Sequence, residues 1–196
     1  MILNTTTLIF ATNNQHKIRE IQSLLDSSFK VITLRESGIT TDILEPYNTI
    51  EKNALEKANV IYKMTKKNCF GEDTGLEVSA LNGEPGVKSA RYAGEEKLDE
   101  KNIEKLLHQL KGVSNRKARF KTVIALMWNE KSHLFEGICD GEILEKPFGT
   151  NGFGYDSVFM PNGATCSFAQ MTLQAKNIYS HRRKAFDQLI TFLKSM

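Results

Sequence analysis

A strand, a polar turn, a helix and a second strand follow one another at the start of the chain, and this order restricts the fold more than any other feature. Residues 8–12 form a short apolar run typical of a buried strand, and residues 13–16 interrupt it with polar side chains. From Lys17 onwards, apolar residues recur at steps of three and four, as they do on the buried face of a helix. Residues 31–34 have the pattern of a second strand. A β-α-β opening of this kind predicts an α/β protein.

The rest of the chain alternates between periodic apolar segments and polar loops, with no internal repeat. We expect three helices: one from the cap Thr49 to about Lys66, one over about 99–110, and a final one from about Ser180. A strand is entered at 69–71 and continues with period two to Ala80, and two long strands over 120–128 and 133–143 are joined by 129–132. The expected loops are 35–48, 82–96 and the Gly- and Pro-rich segment 147–163. This order predicts a mixed α/β fold that includes a long antiparallel pair. We expect residues 1–196 to form a single domain.

Composition and charge exclude several classes of protein. The net charge is +3 at pH 7 and the basic runs are short, so we expect no nucleic acid partner. Cys69, Cys139 and Cys166 include no Cys-x-x-Cys pair, which argues against a disulfide framework and a structural zinc site. Residues 1–7 do not have the pattern of a signal peptide, and no apolar run reaches the roughly 18 residues of a membrane span. We therefore expect a cytoplasmic protein without a membrane partner.

The turn after the first predicted strand carries side chains that suit a phosphate group. They are those of Thr12, Asn13, Asn14, Gln15, His16 and Lys17. A strand that enters a helix presents unpaired backbone N–H groups at the positive end of the helix dipole, and Lys17 adds a cation one turn into the helix. The spacing is not that of a Walker loop. The alternative is an ordinary loop with an Asn helix cap, and the residues alone favour it.

Several carboxylates in the first half of the chain suit a divalent ion. Glu45 lies in a predicted loop, Glu51 at a helix start, and Glu72 and Asp73 at the end of a strand. Mg²⁺ prefers oxygen ligands, and a further carboxylate near the ion can orient or deprotonate a water molecule. The alternative is that these residues are acids on surface turns, where Asp and Glu usually lie.

A segment rich in glycine and aromatic residues, 149–156, suits a nucleobase. Its three glycines let a ligand approach the backbone closely. Phe153 and Tyr155 are candidates for stacking on a base, and Asp156 is a candidate acceptor for a base or ribose donor. The alternative is a bulged hairpin whose aromatic side chains belong to the core.

A basic cluster near the C-terminus is the second candidate for contact with a base or phosphate. It contains Lys176 and the segment Ser180-His181-Arg182-Arg183. Ser180 is a candidate cap of the final helix, and donors at this positive end would suit carbonyl or phosphate oxygens. The alternative is a solvated basic helix start.

Together and in this order, the clusters resemble the Ham1/RdgB-type inosine triphosphate pyrophosphatases over essentially the whole chain. Residues 12–17 look like the family's Thr-x-Asn-x-x-Lys motif, and residues 72–76 resemble its Asp-Asp-Ser-Gly-Leu signature. The remaining similar segments are Glu45, the Asn-Ala-x-x-Lys-Ala helix over 53–58, the Pro-Gly-x-x-Ser-Ala-Arg-Tyr-Ala-Gly segment over 85–94, residues 151–156 and residues 180–182.

The resemblance implies an α/β fold with an elongated mixed sheet, flanking helices, two lobes and a central cleft, and a homodimer. It implies that the chain hydrolyses dITP, ITP and XTP to the monophosphate and pyrophosphate with Mg²⁺, which removes damaged nucleotides from the pool. Two alternatives stay open: a Maf-type pyrophosphatase acting on pyrimidine or modified nucleotides, and a non-catalytic nucleotide or RNA binding module.

The resemblance also implies roles for individual residues. Asp73 would be the catalytic proton acceptor, and Asp73 and Glu45 would bind the metal. The substrate would contact Thr12, Asn13, Asn14, Gln15, His16, Lys17, Lys57, Thr74, Phe153, Gly154, Tyr155, Asp156, Lys176, His181 and Arg182. Five positions depart from the family pattern: Glu72 stands for a common Asp, Thr74 for Ser, Lys52 for a common Glu, Ser157 for Pro and Arg183 for Gly.

Overall fold

The computed structural model describes residues 5–25, 28–41 and 43–196, and these residues form a mixed α/β fold. The strands are β1 (Thr6–Phe10), β2 (Phe29–Thr33), β3 (Cys69–Val78), β4 (Pro85–Gly86), β5 (Lys117–Trp128), β6 (Lys131–Ile143) and β7 (Phe159–Pro161). The α-helices are α1 (Gln15–Gln22), α2 (Ile50–Thr65), α3 (Asp99–Gln109), α4 (Leu173–Tyr179) and α5 (His181–Lys194). Short 3-10 turns cover Ser79–Leu81, Ser89–Arg91 and Phe168–Gln170. None of the described helices is long and apolar enough to cross a membrane.

The strands form one seven-stranded mixed sheet in the order β2-β1-β3-β5-β6-β7, with β4 paired to β3. β1 runs parallel to both β2 and β3, whereas β4 and β7 are antiparallel to their neighbours. The predicted β-α-β opening and the mixed α/β fold class are therefore confirmed.

The chain divides into two compact units, each with its own core. The first unit contains the segment that ends at Asp73, together with Thr122–Gly137 and Arg182–Met196. Its core includes Phe10 and Phe70, whose rings stack at 4.4 Å. The second unit contains Thr74–Lys121 and Ile138–His181, and its core includes Phe120 and Phe159, whose ring centroids lie 4.7 Å apart. The expectations of one domain and of a central cleft stay predictions.

Several predicted boundaries were wrong. Helix α1 begins at Gln15 rather than Lys17, and β5 begins at Lys117 rather than residue 120. The turn between β5 and β6 consists only of Asn129 and Glu130, both with positive φ (47° and 68°), which is the two-residue hairpin geometry. The first long strand ends at Val78, before Ala80.

Segments predicted as loops contain short elements. Strand β4 and the turn Ser89–Arg91 lie within 82–96, and β7 lies within 147–163. Helix α4 was not predicted. It has seven residues and is capped by Thr172, whose hydroxyl accepts from Ala175 N. So few residues give too little periodicity to recognise in a sequence.

Candidate active site

The predicted phosphate turn is ordered by its own side chains. Oγ1 of Thr12 accepts a hydrogen bond from Asn14 N (3.2 Å), and Oδ1 of Asn14 accepts from His16 N (2.9 Å) and Lys17 N (3.1 Å). Asn14 is therefore the N-cap of α1, as the alternative interpretation of this turn expected. The exposed side chains of the turn are those of Asn13, Asn14, Gln15 and His16. Lys17, only 14% exposed, instead extends to a buried carboxylate.

That carboxylate belongs to Glu72 in β3, which is the centre of a buried ion network in the first unit. Oε2 of Glu72 lies 2.8 Å from Lys17 Nζ, and Oε1 lies 3.1 Å from Arg182 Nη2. Arg182 also pairs with Glu20. Burial lowers the pKa of the Arg182 guanidinium, but the attraction of Glu72 and Glu20 outweighs burial and raises it. Loss of any one partner would leave a buried charge uncompensated, so the four side chains depend on one another.

A second group of charges forms where β3 packs on α2. A Cβ atom at Gly71 would lie only 2.8 Å from Lys57 Cβ, so the absence of a side chain at Gly71 permits this close approach. Nζ of Lys57 donates to the Glu72 carbonyl oxygen (3.0 Å) and to Asp73 Oδ1 (3.1 Å), and it pairs with Glu45. One ammonium group therefore holds three separate acceptors.

Asp73 has one oxygen paired and one unpaired. Its Oδ1 accepts from Lys57, whereas its Oδ2 is buried and has no hydrogen-bond partner within residues 5–25, 28–41 and 43–196. Burial raises the pKa of Asp73, and the attraction of Lys57 and Lys17 only partly opposes this. Burial would lower the pKa of Lys57, but Asp73 and Glu45 raise it above its ordinary value. A buried oxygen without a partner is uncommon, and a cation or a water molecule would satisfy it.

Asp73 and Glu45 fit a hard divalent cation. The described residues contain no group of three or more His, Cys, Asp or Glu side chains that could hold a metal ion. Mg²⁺ does not need such a group, because one or two carboxylates plus substrate phosphates and water usually complete its shell. Both carboxylates contact Lys57, which brings their oxygens to one place. Thr74 follows Asp73 directly in β3 and is half-buried.

The second unit contains the predicted base-binding side chains Phe153, Asp156 and Lys176. Oδ2 of Asp156 lies 2.6 Å from Lys176 Nζ and accepts from Phe153 N (3.0 Å). The Lys176 ammonium group also lies 5.4 Å from the Phe153 ring centroid. Gly152, with φ of 76°, packs directly on the Asp156 carboxylate, so any side chain there would collide with it. The four residues form a compact cluster.

Three predicted base-contacting residues have structural partners. Tyr155 is 3% exposed, and its hydroxyl donates to the Ser89 carbonyl oxygen (3.0 Å), so its ring belongs to the core, as the alternative interpretation expected. Burial raises the pKa of Tyr155. The His181 ring stacks on Phe120 at 4.6 Å. The Arg182 guanidinium lies between the Glu20 and Glu72 carboxylates of the first unit.

Three of the positions that depart from the family pattern, those of Lys52, Arg183 and Ser157, lie outside these ion networks. Lys52 is exposed on α2. Arg183 is exposed and pairs with Asp187 one turn further along α5 (3.1 Å). Ser157 is half-buried, and its carbonyl oxygen accepts from Phe148 N (2.8 Å).

Sequence reasoning missed Glu20. Its carboxylate is buried and pairs with Arg182, although it was not among the predicted site residues. The signal was available: Glu20 follows Lys17 by three positions, which places both on one side of α1. A charged residue within the apolar stripe that includes Ile21 needs a buried partner.

Comparison with known proteins agrees with the resemblance inferred from the motifs. The Ham1 family model matches residues 8–192. A dITP/XTP pyrophosphatase from Flavobacterium psychrophilum is 51% identical over 188 residues, covering 96% of this chain and 99% of that protein. A dITP/XTP pyrophosphatase from Christiangramia forsetii is 52% identical over 186 residues, covering 95% of this chain and 98% of that protein.

Solved structures give the same result. The Staphylococcus aureus Ham1 protein superposes with a TM-score of 0.88 at 40% identity, covering 97% of this chain and 99% of that one. A HAM1 protein from Coxiella burnetii superposes with a TM-score of 0.89 at 38% identity, covering 98% of this chain and 100% of that one. On sequence, fold and the order of its motifs, the chain belongs to the Ham1 family.

Proposed function

We propose that this chain hydrolyses non-canonical purine nucleoside triphosphates, namely dITP, ITP and XTP, to the nucleoside monophosphate and pyrophosphate. The observation that carries the proposal is that Lys17, Lys57, Glu45 and Asp73 converge around the end of the first unit's portion of β3. Relatives about half identical to the chain bear the name dITP/XTP pyrophosphatase. Neither the site nor these relatives favour the Maf-type alternative or a non-catalytic binding module.

Mg²⁺ is the proposed cofactor, with Asp73 and Glu45 as its protein ligands. When bound, such an ion neutralises phosphate charge and helps to orient the reacting groups. Asp73 is also the proposed proton acceptor, because its Oδ2 atom has no competing hydrogen bond within the described chain. Lys57 holds Asp73 and Glu45 together in the free protein. The carboxylates would thus be in place before substrate binds, which limits reorganisation during the reaction.

The triphosphate would lie at the start of α1, between the turn over residues 12–16 and Lys17. The positive end of a helix favours an anion, and Lys17 and Lys57 supply two cations. Both ammonium groups already pair with carboxylates in the free protein, so their positions are fixed before the phosphate oxygens arrive.

Selectivity for the base would come from the cluster in the second unit. Hypoxanthine and xanthine present a 6-oxo group that accepts hydrogen bonds, whereas adenine presents an amino group that donates them. A pocket with hydrogen-bond donors such as the side chains of Lys176 and His181 would satisfy the 6-oxo group, whereas with adenine a donor of the pocket would face the donating amino group. An unpaired buried polar group is costly, so discrimination can be large. We further propose a cytoplasmic homodimer that removes damaged nucleotides from the pool.

The test is pyrophosphate release from dITP, ITP, XTP, dATP, dGTP, dTTP and UTP, each with and without Mg²⁺. We expect dITP, ITP and XTP to be preferred over dATP, dGTP and the pyrimidine triphosphates, and we expect turnover to require the ion. Asp73→Asn should reduce kcat by a factor of about 1,000 or more while substrate still binds, because it removes both an ionic ligand and the proton acceptor. Asp140→Asn, at an exposed position, is the matched control. A preference for pyrimidine triphosphates, or near-normal kcat in Asp73→Asn, would contradict the proposal.

A further inference from the structure

The loop over residues 152–156 holds its shape through hydrogen bonds that need no ligand. Phe153 N donates to Asp156 Oδ2 (3.0 Å), and Asp156 N donates to the Phe153 carbonyl oxygen (3.2 Å). Gly154, between them, has a left-handed backbone with φ of 59°. A Cβ atom added at Gly154 would meet nothing within 4 Å, so this side of the loop faces open space. The loop is therefore open to a ligand at Gly154.

A residue far away in sequence fixes the loop at the same position. Oδ2 of Asp99 accepts a hydrogen bond from Gly154 N at 2.6 Å, across 55 residues of sequence. An ionised acceptor makes this a short, charge-assisted hydrogen bond. The Gly154 amide is therefore already used in the free protein, and it orients the backbone rather than awaiting a substrate atom.

Asp99 lies on a firmly held support. It is the first residue of α3, and Asn102 in the next turn accepts from Ala93 N (2.7 Å) and donates to the Ala90 carbonyl oxygen (3.1 Å). Leu106, further along α3, is fully buried in the core of the second unit. Although Asp99 itself is exposed, its backbone is fixed by these contacts, so its carboxylate is a stable anchor for Gly154.

We propose that Asp99 is a positioning residue for base recognition: it fixes Gly154, and through it Phe153 and Asp156, in the shape that receives the purine. The proposal rests on the proposed function. The hydrogen bond of Asp99 is to the Gly154 backbone N–H, so Asp99 acts through the backbone of the loop. A loop that is ordered in advance loses less conformational entropy when the ligand binds.

The test compares Asp99→Ala and Asp99→Asn with Glu100→Ala. Glu100 is the adjacent exposed acid in the first turn of α3, so its removal changes the helix charge equally without touching the loop. The assays are steady-state pyrophosphate release from dITP and calorimetric binding of inorganic tripolyphosphate, a probe without a base. We expect Asp99→Ala to raise KM for dITP about tenfold, as loss of one charged hydrogen bond predicts. Tripolyphosphate affinity and kcat should stay within about twofold of the parent.

The amide oxygen of Asp99→Asn still accepts from Gly154 N, so this variant should restore most of the dITP affinity. Three outcomes would overturn the proposal: an unchanged KM in Asp99→Ala, an equal loss of tripolyphosphate affinity, or the same rise in KM in Glu100→Ala. Failure of the parent protein to release pyrophosphate from any nucleotide would instead reject the proposed function. The two failures are therefore distinguishable.

Discussion

Replacement of Lys57 by Met tests whether its ammonium group holds the carboxylates of the first unit together. The side chains of Lys57 and Asp73 are 7% and 9% exposed, whereas that of Glu45 is 25% exposed and can turn to solvent. The loss of stability therefore comes mainly from the Asp73 carboxylate, which stays buried and loses the cation that pairs with it. We expect the free energy of unfolding to fall by about 3–5 kcal/mol near neutral pH.

The pH dependence of this loss follows from the pKa of Asp73. Burial raises that pKa above the ordinary value of an Asp carboxyl, and Lys57 opposes the rise, so the substitution raises the pKa of Asp73 further. An acid with a raised pKa in the folded state destabilises the protein increasingly as pH rises through that pKa. The deficit of Lys57→Met should therefore be largest near neutral pH and shrink in acid.

Urea unfolding of the parent and of Lys57→Met, near pH 7 and at about pH 5, measures this deficit. The slope of the unfolding free energy against urea concentration should be the same for both proteins. Lys63→Met, at an exposed position on the same helix, should stay within about 0.5 kcal/mol of the parent. Adding Asp73→Asn to Lys57→Met should recover part of the loss, because the buried charge is gone. A deficit below about 1 kcal/mol, or one equal at both pH values, would refute this reasoning.

Three further predictions concern stability and substrate affinity. Arg182→Met should lower the free energy of unfolding by about 3–5 kcal/mol in urea titrations, because Glu72 would remain buried without its guanidinium partner. Gly152→Ala should raise KM for dITP in the pyrophosphate assay, since a methyl group there collides with the Asp156 carboxylate and the backbone has a positive φ of 76°. The raised pKa of Lys57 contributes stability that is fully present below the ordinary pKa of a lysine and is lost as pH rises through the folded-state pKa. The difference in unfolding free energy between the parent and Lys57→Met should therefore shrink in alkaline solution, and a constant difference would contradict it.

The sequence predicts the opening of the fold and the long strand pair because hydrophobic periodicity is local. It also predicts the cap at Thr49, whose hydroxyl accepts from Lys52 N (3.3 Å). It does not predict the partners of Arg182, because Glu72 is 110 residues away and no local pattern links the two. A basic residue at a helix start suits a bound anion and a buried ion pair equally well.

The aromatic residues of the glycine-rich loop show the same limit. Phe153 and Tyr155 are two positions apart and chemically similar, yet Tyr155 is buried in the core while Phe153 is only partly buried. The difference depends on the Ser89 carbonyl oxygen, which comes from another part of the second unit. Candidate residue types can therefore be identified from the sequence, but their division into core and binding side chains requires the tertiary contacts.

The neighbouring acids of β3 have a consequence for how sequences of this family can diverge. Successive side chains of a strand point to opposite faces, and the two acids form their ion pairs with different cations: Glu72 with Lys17 and Arg182, and Asp73 with Lys57. In the Asp-Asp-Ser-Gly-Leu signature that residues 72–76 resemble, Asp takes the place of Glu72, and its side chain is shorter by one C–C bond, about 1.5 Å. Such an exchange would require compensating changes in α1 and α5, where Lys17 and Arg182 lie, while Asp73 remains as it is. We therefore expect positions 17, 72 and 182 to vary together among related sequences, independently of position 73.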